Sequence, residues 1–175
     1  MKEDRNVNVI TDLSGKKVVV INDIRFAGRQ NISWNDVETY IKRFVGDFYS
    51  IAESSEIVYI GKDLPDEYAG SKYTRNLKGA LARAKANASQ GIPEMIEIAA
   101  GKRYKENLNK KHSKNASKGW YRYDTRFAIP VCDEDGEVIR YNIFRAELIV
   151  RCTENEKLYL YDIINIKKKQ SRPPE

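Results

Sequence analysis

Residues 121–131, 138–152 and 157–167 are three runs rich in β-branched and aromatic side chains, separated only by Asp133-Glu134-Asp135-Gly136 and Thr153-Glu154-Asn155-Glu156. A parallel connection needs a dozen or more residues, so these short polar links permit only antiparallel neighbours. The last third of the chain must then be a β-meander, and the rest must supply a layer that covers one of its faces. Pro130, which cannot donate to a ladder, predicts that the first run is an edge at that point.

Alternation along each run sorts the side chains onto two faces. Tyr123, Thr125, Phe127 and Ile129 of the first run, with Phe144, Ala146, Leu148 and Val150 of the second, form the face to be covered. Leu158, Leu160, Ile164 and Ile166 continue it in the third. The opposite face receives Trp120, Arg122, Asp124 and Arg126, then Arg145, Glu147, Ile149 and Arg151, then Tyr159, Tyr161, Asn165 and Lys167. Asp162 falls on the apolar side, where a carboxylate needs a bulge or a dedicated hydrogen-bond partner.

Upstream, residues 7–11 and 17–22 flank Asp12-Leu13-Ser14-Gly15 and read as a hairpin, as do 48–51 and 57–60 around Ala52-Glu53-Ser54-Ser55. Between them, Ser33 precedes Val37, Tyr40, Ile41, Phe44 and Val45 at helical spacing, with Gly46 as the stop. A second helix is expected over 66–90, with Leu77, Leu81, Ala84 and Ala88 inward, Lys78, Arg83 and Lys85 off that stripe, and Gly70 and Gly79 as weak points. A short third helix follows over 93–100, ended by Gly101. Residues 101–119 lose apolar periodicity and predict a long exposed loop or a charged helix. The expected fold is α+β: helices of the first two-thirds on a C-terminal antiparallel meander, with additional N-terminal hairpins. It would be one domain over 1–168, with 1–55 an addition to a core over 56–168 and a frayed tail over 169–175.

Charge is concentrated rather than spread. The chain carries a formal +6, and residues 101–126 alone hold nine Lys and Arg against two acids, so the remainder is close to neutral. A basic field of this kind attracts phosphates. The same segment contains the single histidine, His112, together with Trp120, Tyr121 and Tyr123. Cys132 and Cys152 would lie about 45 Å apart if 138–152 is one strand, which excludes a disulfide. No CxxC pairing, P-loop, dinucleotide-binding glycine pattern or nucleophile elbow is present, so no metal or cofactor is expected. No apolar run approaches a membrane span, and the first residues lack a signal-peptide core, which predicts a cytoplasmic protein.

These residue types suit metal-independent cleavage of RNA, in which a base takes the 2′-hydroxyl proton, an acid protonates the leaving 5′-oxygen and cations stabilise the phosphorane. His112 suits proton transfer, Arg126 and Arg145 the phosphate, and Tyr161 donation to an oxyanion. Lys110, Lys111, Trp120, Tyr121, Tyr159, Asn165 and Lys167 are the candidate RNA-binding residues, through charge, stacking or ribose contacts. The same features suit a non-catalytic nucleic-acid-binding accessory domain or a protein-interaction domain with an acidic partner.

Tyr59-Ile60-Gly61, Pro65-Asp66-Glu67-Tyr68, Lys111-His112, Gly119-Trp120-Tyr121-Arg122-Tyr123, Tyr141-Asn142, Arg145 and the stretch 158–167 occur in an order that resembles domains of phage and mobile-element polyvalent proteins. Those domains are associated with the barnase, EndoU, colicin and RelE-like nuclease superclass. The resemblance covers residues 56–168 and implies a helical front half, a sheet of about four antiparallel strands, RNA (tRNA among the candidates) as substrate, and an immunity or antitoxin protein as partner.

Overall fold

The meander forms over the whole final third. In the computed structural model, which describes residues 5–28, 31–105 and 118–172, its strands are β6 (Trp120–Cys132), β7 (Val138–Cys152) and β8 (Leu158–Arg172), paired antiparallel. The strand extends through Arg172, so residues 169–172, expected to fray, belong to it. Turn chemistry closes both links: Asp133 Oδ1 accepts from the Asp135 and Glu137 amides, and Thr153 Oγ1 from the Lys157 amide.

Upstream strands add to both sides of the meander. The hairpin of β1 (Val7–Thr11) and β2 (Lys17–Ile21) joins through parallel pairs Val19↔Phe127 and Val20↔Ala128. The hairpin of β3 (Phe48–Ser50) and β4 (Ile57–Tyr59) joins β8 through Val58↔Leu158 and Tyr59↔Tyr159, also parallel. A further strand, β5 (Ala100–Lys105), pairs antiparallel with the beginning of β6. The result is an eight-stranded sheet in the order β1-β2-β6-β7-β8-β4-β3, with β5 on β6, and the chain is mixed α+β. Pro130 lies past the last β2 pair, where β6 has no ladder partner on that side, as its missing N–H requires.

The sequence suggested a loop or charged helix from Gly101, yet 100–105 is the strand β5. Its register shifts between Ala100 and Arg103, with Gly101 at φ +67°, so the glycine serves as a bulge rather than a helix stop. The expected helix over 66–90 is three pieces: α2 (Leu64–Gly70), α3 (Lys72–Arg75) and α4 (Gly79–Ala88). Gly70 and Gly79 break it instead of weakening it. Ser71 turns extended and caps α3 by accepting from the Thr74 amide, while Gly79 takes φ +60°. These helices, with α1 (Trp34–Ile41) and α5 (Ile92–Glu97), cover one sheet face. There Phe127 and Phe144 stack at 5.1 Å in a core with Val37, Ile41, Met95 and Leu148. Residues 22–28, which have no regular structure, are held by Asn87: its Oδ1 accepts from the Phe26 amide and its Nδ2 donates to the Phe26 carbonyl.

Lys85, expected off the apolar stripe, is 0% exposed. Its Nζ donates to Asp162 Oδ1 and to Thr74 Oγ1, each at 2.6 Å, while the Ser71 hydroxyl donates to Asp162 Oδ2 at 3.0 Å. Tyr68, also fully buried, donates to the Lys85 carbonyl. Burial pushes the Lys85 ammonium down and the Asp162 carboxyl up, and each partner's charge opposes that push. The strand bulges beside Asp162: Ile149 pairs with Asp162 but Val150 with Leu160, leaving Tyr161 as the extra residue. Two further shifts follow, opposite Arg145/Glu147 and Ile143/Phe144. Consequently Ile163, rather than Ile164, fills the core. A buried charge stripped of its partner is costly, so Lys85→Met is expected to lower unfolding free energy by about 3–5 kcal/mol in urea titrations at pH 7. Lys85→Met with Asp162→Leu should recover most of the loss; a neutral single variant would contradict this role.

Candidate nucleic-acid interface

The sheet face away from the helices is ordered by strand register into cross-strand rows. One row is cationic: Arg126 stands opposite Arg145 on β7, and Arg145 opposite Lys167 on β8. Arg126 is held by Asp12 of the β1–β2 turn, Nη1 to Oδ2 at 3.7 Å. Asp12 is fixed in turn by its Oδ1, which accepts from the Ser14 hydroxyl and from the amides of Ser14 and Lys16. The Ser14 hydroxyl, those amides and Arg126 together hold its carboxyl below the usual range. Arg145 and Lys167 are exposed and have no ion-pair or side-chain hydrogen-bond partner among the described residues.

The next row toward the other end is acidic, Asp124 opposite Glu147, and it is neutralised locally. Arg103 of β5 meets Asp124 at 3.1 Å, Arg122 meets Glu147 at 3.2 Å, and Asn165 donates to Glu147 at 3.1 Å from a left-handed backbone, φ +53°.

A third row crosses six strands: Lys105, Trp120, Arg151, Tyr159, Tyr59 and Phe48 occupy successive positions on β5, β6, β7, β8, β4 and β3. Ring centroids are 5.8 Å apart for Phe48 and Tyr59 and 5.6 Å for Tyr59 and Tyr159, and the Arg151 guanidinium lies 4.3 Å from the Tyr159 ring centre. Arg151 also pairs with Asp63 at 3.4 Å. The row packs against backbone at Gly61, where a Cβ would come within 3.3 Å of the Tyr159 ring and 2.9 Å of the Asp63 carboxylate. Six residues of β6 separate Arg126 from Trp120, about 20 Å at strand rise.

The sequence-derived candidates are therefore divided. Arg126, Arg145 and Lys167 come together, and Trp120 and Tyr159 share the aromatic row. Tyr161 lies opposite Ile149 and Val150, about 15 Å along β7 from Arg145. Its ring meets Trp120 edge-on at 5.0 Å, and its phenol, partly buried and bonded to Glu67 of α2, is raised well above its ordinary value. Tyr121 sits on the helix-covered face, against Tyr104 and under Lys102. His112, Lys110 and Lys111 lie outside the described residues.

A groove of about 580 Å³ opens beside the cationic row. It exists because β6 has one edge divided: β5 pairs with 120–124 and β2 with 127–128, so Thr125 and Arg126 between them have no strand on that edge. The Thr125 hydroxyl donates to the Met95 carbonyl, which sets α5 at the base of the gap. Lys16 and Lys17 of the β1–β2 hairpin enter the groove, as do Glu53 of the β3–β4 turn and Glu97 at the end of α5. Sequence reasoning missed these four, since only the long-range β2–β6 pairing and the docking of α5 bring them together. Phe48 and Tyr59 were missed likewise.

Among the described residues no group of His, Cys, Asp and Glu could hold a metal, and no helix is long and apolar enough to cross a membrane. Comparison with protein-family models, with curated proteins and with solved structures found no match.

A titrating contact joins the β3–β4 turn to β5 and β6. Glu56 accepts from Lys102, from the Ser54 hydroxyl and from the Tyr123 phenol at 3.0 Å. Burial works to raise its carboxyl, and these donors outweigh it, so the value lies below the ordinary 4.5. A depressed carboxyl contributes stability that is complete above 4.5 and lost as pH falls through the folded value. Glu56→Gln should flatten the acid limb of a stability–pH profile below that point while lowering the plateau; an unchanged acid limb would assign the dependence elsewhere.

Proposed function

We propose that the chain binds single-stranded RNA along the exposed face of its sheet, with phosphates at the Arg126–Arg145–Lys167 row and bases against the aromatic row ending at Trp120. The observation that carries this reading is the register of three cations directly opposite one another on adjacent strands, two of them without a counter-charge among the described residues. Like charges opposed across a ladder destabilise it, and a bound anion relieves that cost. Aromatic faces supply stacking that any base satisfies, which suits a single strand and not a duplex.

The groove beside Arg126 and Arg145 favours a second reading, a metal-independent ribonuclease acting on the same strand. The two guanidiniums would hold the scissile phosphate while the 2′-oxygen bonds to phosphorus and the bond to the 5′-oxygen breaks. One group takes the 2′-hydroxyl proton and another supplies the proton to the 5′-oxygen, and His112 is the candidate for one of these two roles. Tyr161 would bind a neighbouring nucleotide in this scheme, given its distance from the two arginines.

Anisotropy of a labelled single-stranded oligonucleotide tests the first reading. Arg145→Ala with Lys167→Ala should weaken binding about tenfold or more at low salt and reduce the salt slope by about 1–2, because each neutralised phosphate contributes about 0.7 on a single strand. Trp120→Ala should cost about 1–3 kcal/mol with little change in slope. Wild-type affinity in both variants would refute the surface. Incubation with total tRNA, with and without EDTA, tests the second: 2′,3′-cyclic phosphate ends that survive EDTA and vanish in His112→Ala support cleavage, and their absence leaves binding alone.

A further inference from the structure

Charges on the two flanks of the groove are unmatched in an informative way. Lys16 and Lys17 stand on the flank made by the β1–β2 hairpin, with Arg145 beside Arg126 on the floor. Glu53 and Glu97 stand on the other flank, where the Ala52 amide donates to the Glu97 carbonyl and ties the β3–β4 turn to α5. The side chains of Lys16, Lys17, Arg145, Glu53 and Glu97 make no ion pair and no hydrogen bond among the described residues, so the opposite charges do not meet across the gap. By contrast Arg126 and Asp124 on the floor are both committed, to Asp12 and Arg103.

A ligand that satisfies both flanks must be anionic at one end and rich in hydrogen-bond donors at the other. Inorganic phosphate or a plain polyanion meets the cations and is repelled by the carboxylates. A nucleoside monophosphate meets both: its phosphate takes Arg145 and the lysines, and its ribose hydroxyls and exocyclic amine donate to carboxylate oxygens. The volume lies within the range of small-ligand pockets. Ala52, Ile98, Ala99 and Ala100 add an apolar stretch of lining for the base or sugar.

We propose that this groove is a one-nucleotide pocket, with the phosphate at Lys16, Lys17 and Arg145 and the donor-bearing base and ribose at Glu53 and Glu97. The inference rests on the nucleic-acid reading and deepens it, since the strand on the sheet would send one nucleotide into the gap left between β2 and β5. The pocket then discriminates nucleotides from other polyanions, which the open rows of the sheet do not.

Calorimetric titration of the full chain with the four nucleoside 5′-monophosphates, and separately with inorganic phosphate, provides the test. At least one monophosphate should bind tenfold or more tighter than phosphate. Glu97→Gln and Glu53→Gln should weaken the monophosphate several-fold while leaving phosphate binding equal or stronger, and Arg145→Ala should weaken both. Monophosphates no tighter than phosphate, or unaffected by both glutamine variants, would overturn the pocket. Oligonucleotide binding by the wild type separates the two claims: a strand that binds while no monophosphate does removes the pocket alone, and a monophosphate that binds while no strand does removes the sheet-face reading and leaves the pocket.

Discussion

A charge pair sealed from water fixes how the helices meet the sheet. Lys85 on α4 and Asp162 on β8 are joined at 2.6 Å, with Ser71 and Thr74 completing their hydrogen bonds. Hydrophobic contact alone would let α4 slide on the sheet, but a buried ion pair tolerates little displacement before one charge is left uncompensated. The pair lies at an irregular stretch of β8. Asp162 sits at the bulge beside Tyr161, and this bulge followed by another near Asn165 inserts two residues before Lys167. Two insertions restore the alternation, so Lys167 arrives opposite Arg145 on the exposed face. The cationic row thus depends on the two insertions, which place Lys167 instead of Asn165 opposite Arg145.

A second constraint shapes the groove. β6 is long enough to serve two partners along one edge, and β5 and β2 approach it from opposite directions without meeting. The backbone between them is left to Thr125 and Arg126, whose side chains bind α5 and the β1–β2 turn. Asp12 links this arrangement to the hairpin by holding the turn with one oxygen and Arg126 with the other. An open strand edge would ordinarily invite aggregation. Here the interruption is short, flanked by charged side chains, and available for a ligand.

Much of the fold was legible in the sequence where the signal was local. The meander, both hairpins and the sorting of β6 and β7 into two faces follow from period-two patterning and short polar links, and α1 from apolar residues at helical spacing. Asp162 announced its own difficulty as an acid on an apolar stripe, and the structure answers it with both a bulge and a partner. What local reading missed was nonlocal. Lys85 looked like a solvated lysine because its partner lies 77 residues away. β5 looked like loop because Gly101 and a run of lysines hide a strand whose pairing is supplied by β6. For the site, Arg126, Arg145 and Lys167 were recoverable by alternation, since the two bulges cancel. Lys16, Lys17, Glu53 and Glu97 were not, because no sequence pattern records that β2 pairs parallel to β6 or that α5 docks under Thr125.

The central claim is that the exposed face of the sheet, and not the helical layer, is the nucleic-acid surface. Ultraviolet crosslinking of a single-stranded RNA containing 5-bromouridine, with adducts located by mass spectrometry, tests it most directly. Adducts are expected on Trp120, Tyr159 or Tyr59, competed by unlabelled strand and suppressed by salt. Adducts confined to aromatics of the helical side, such as Trp34 or Tyr73, would contradict it.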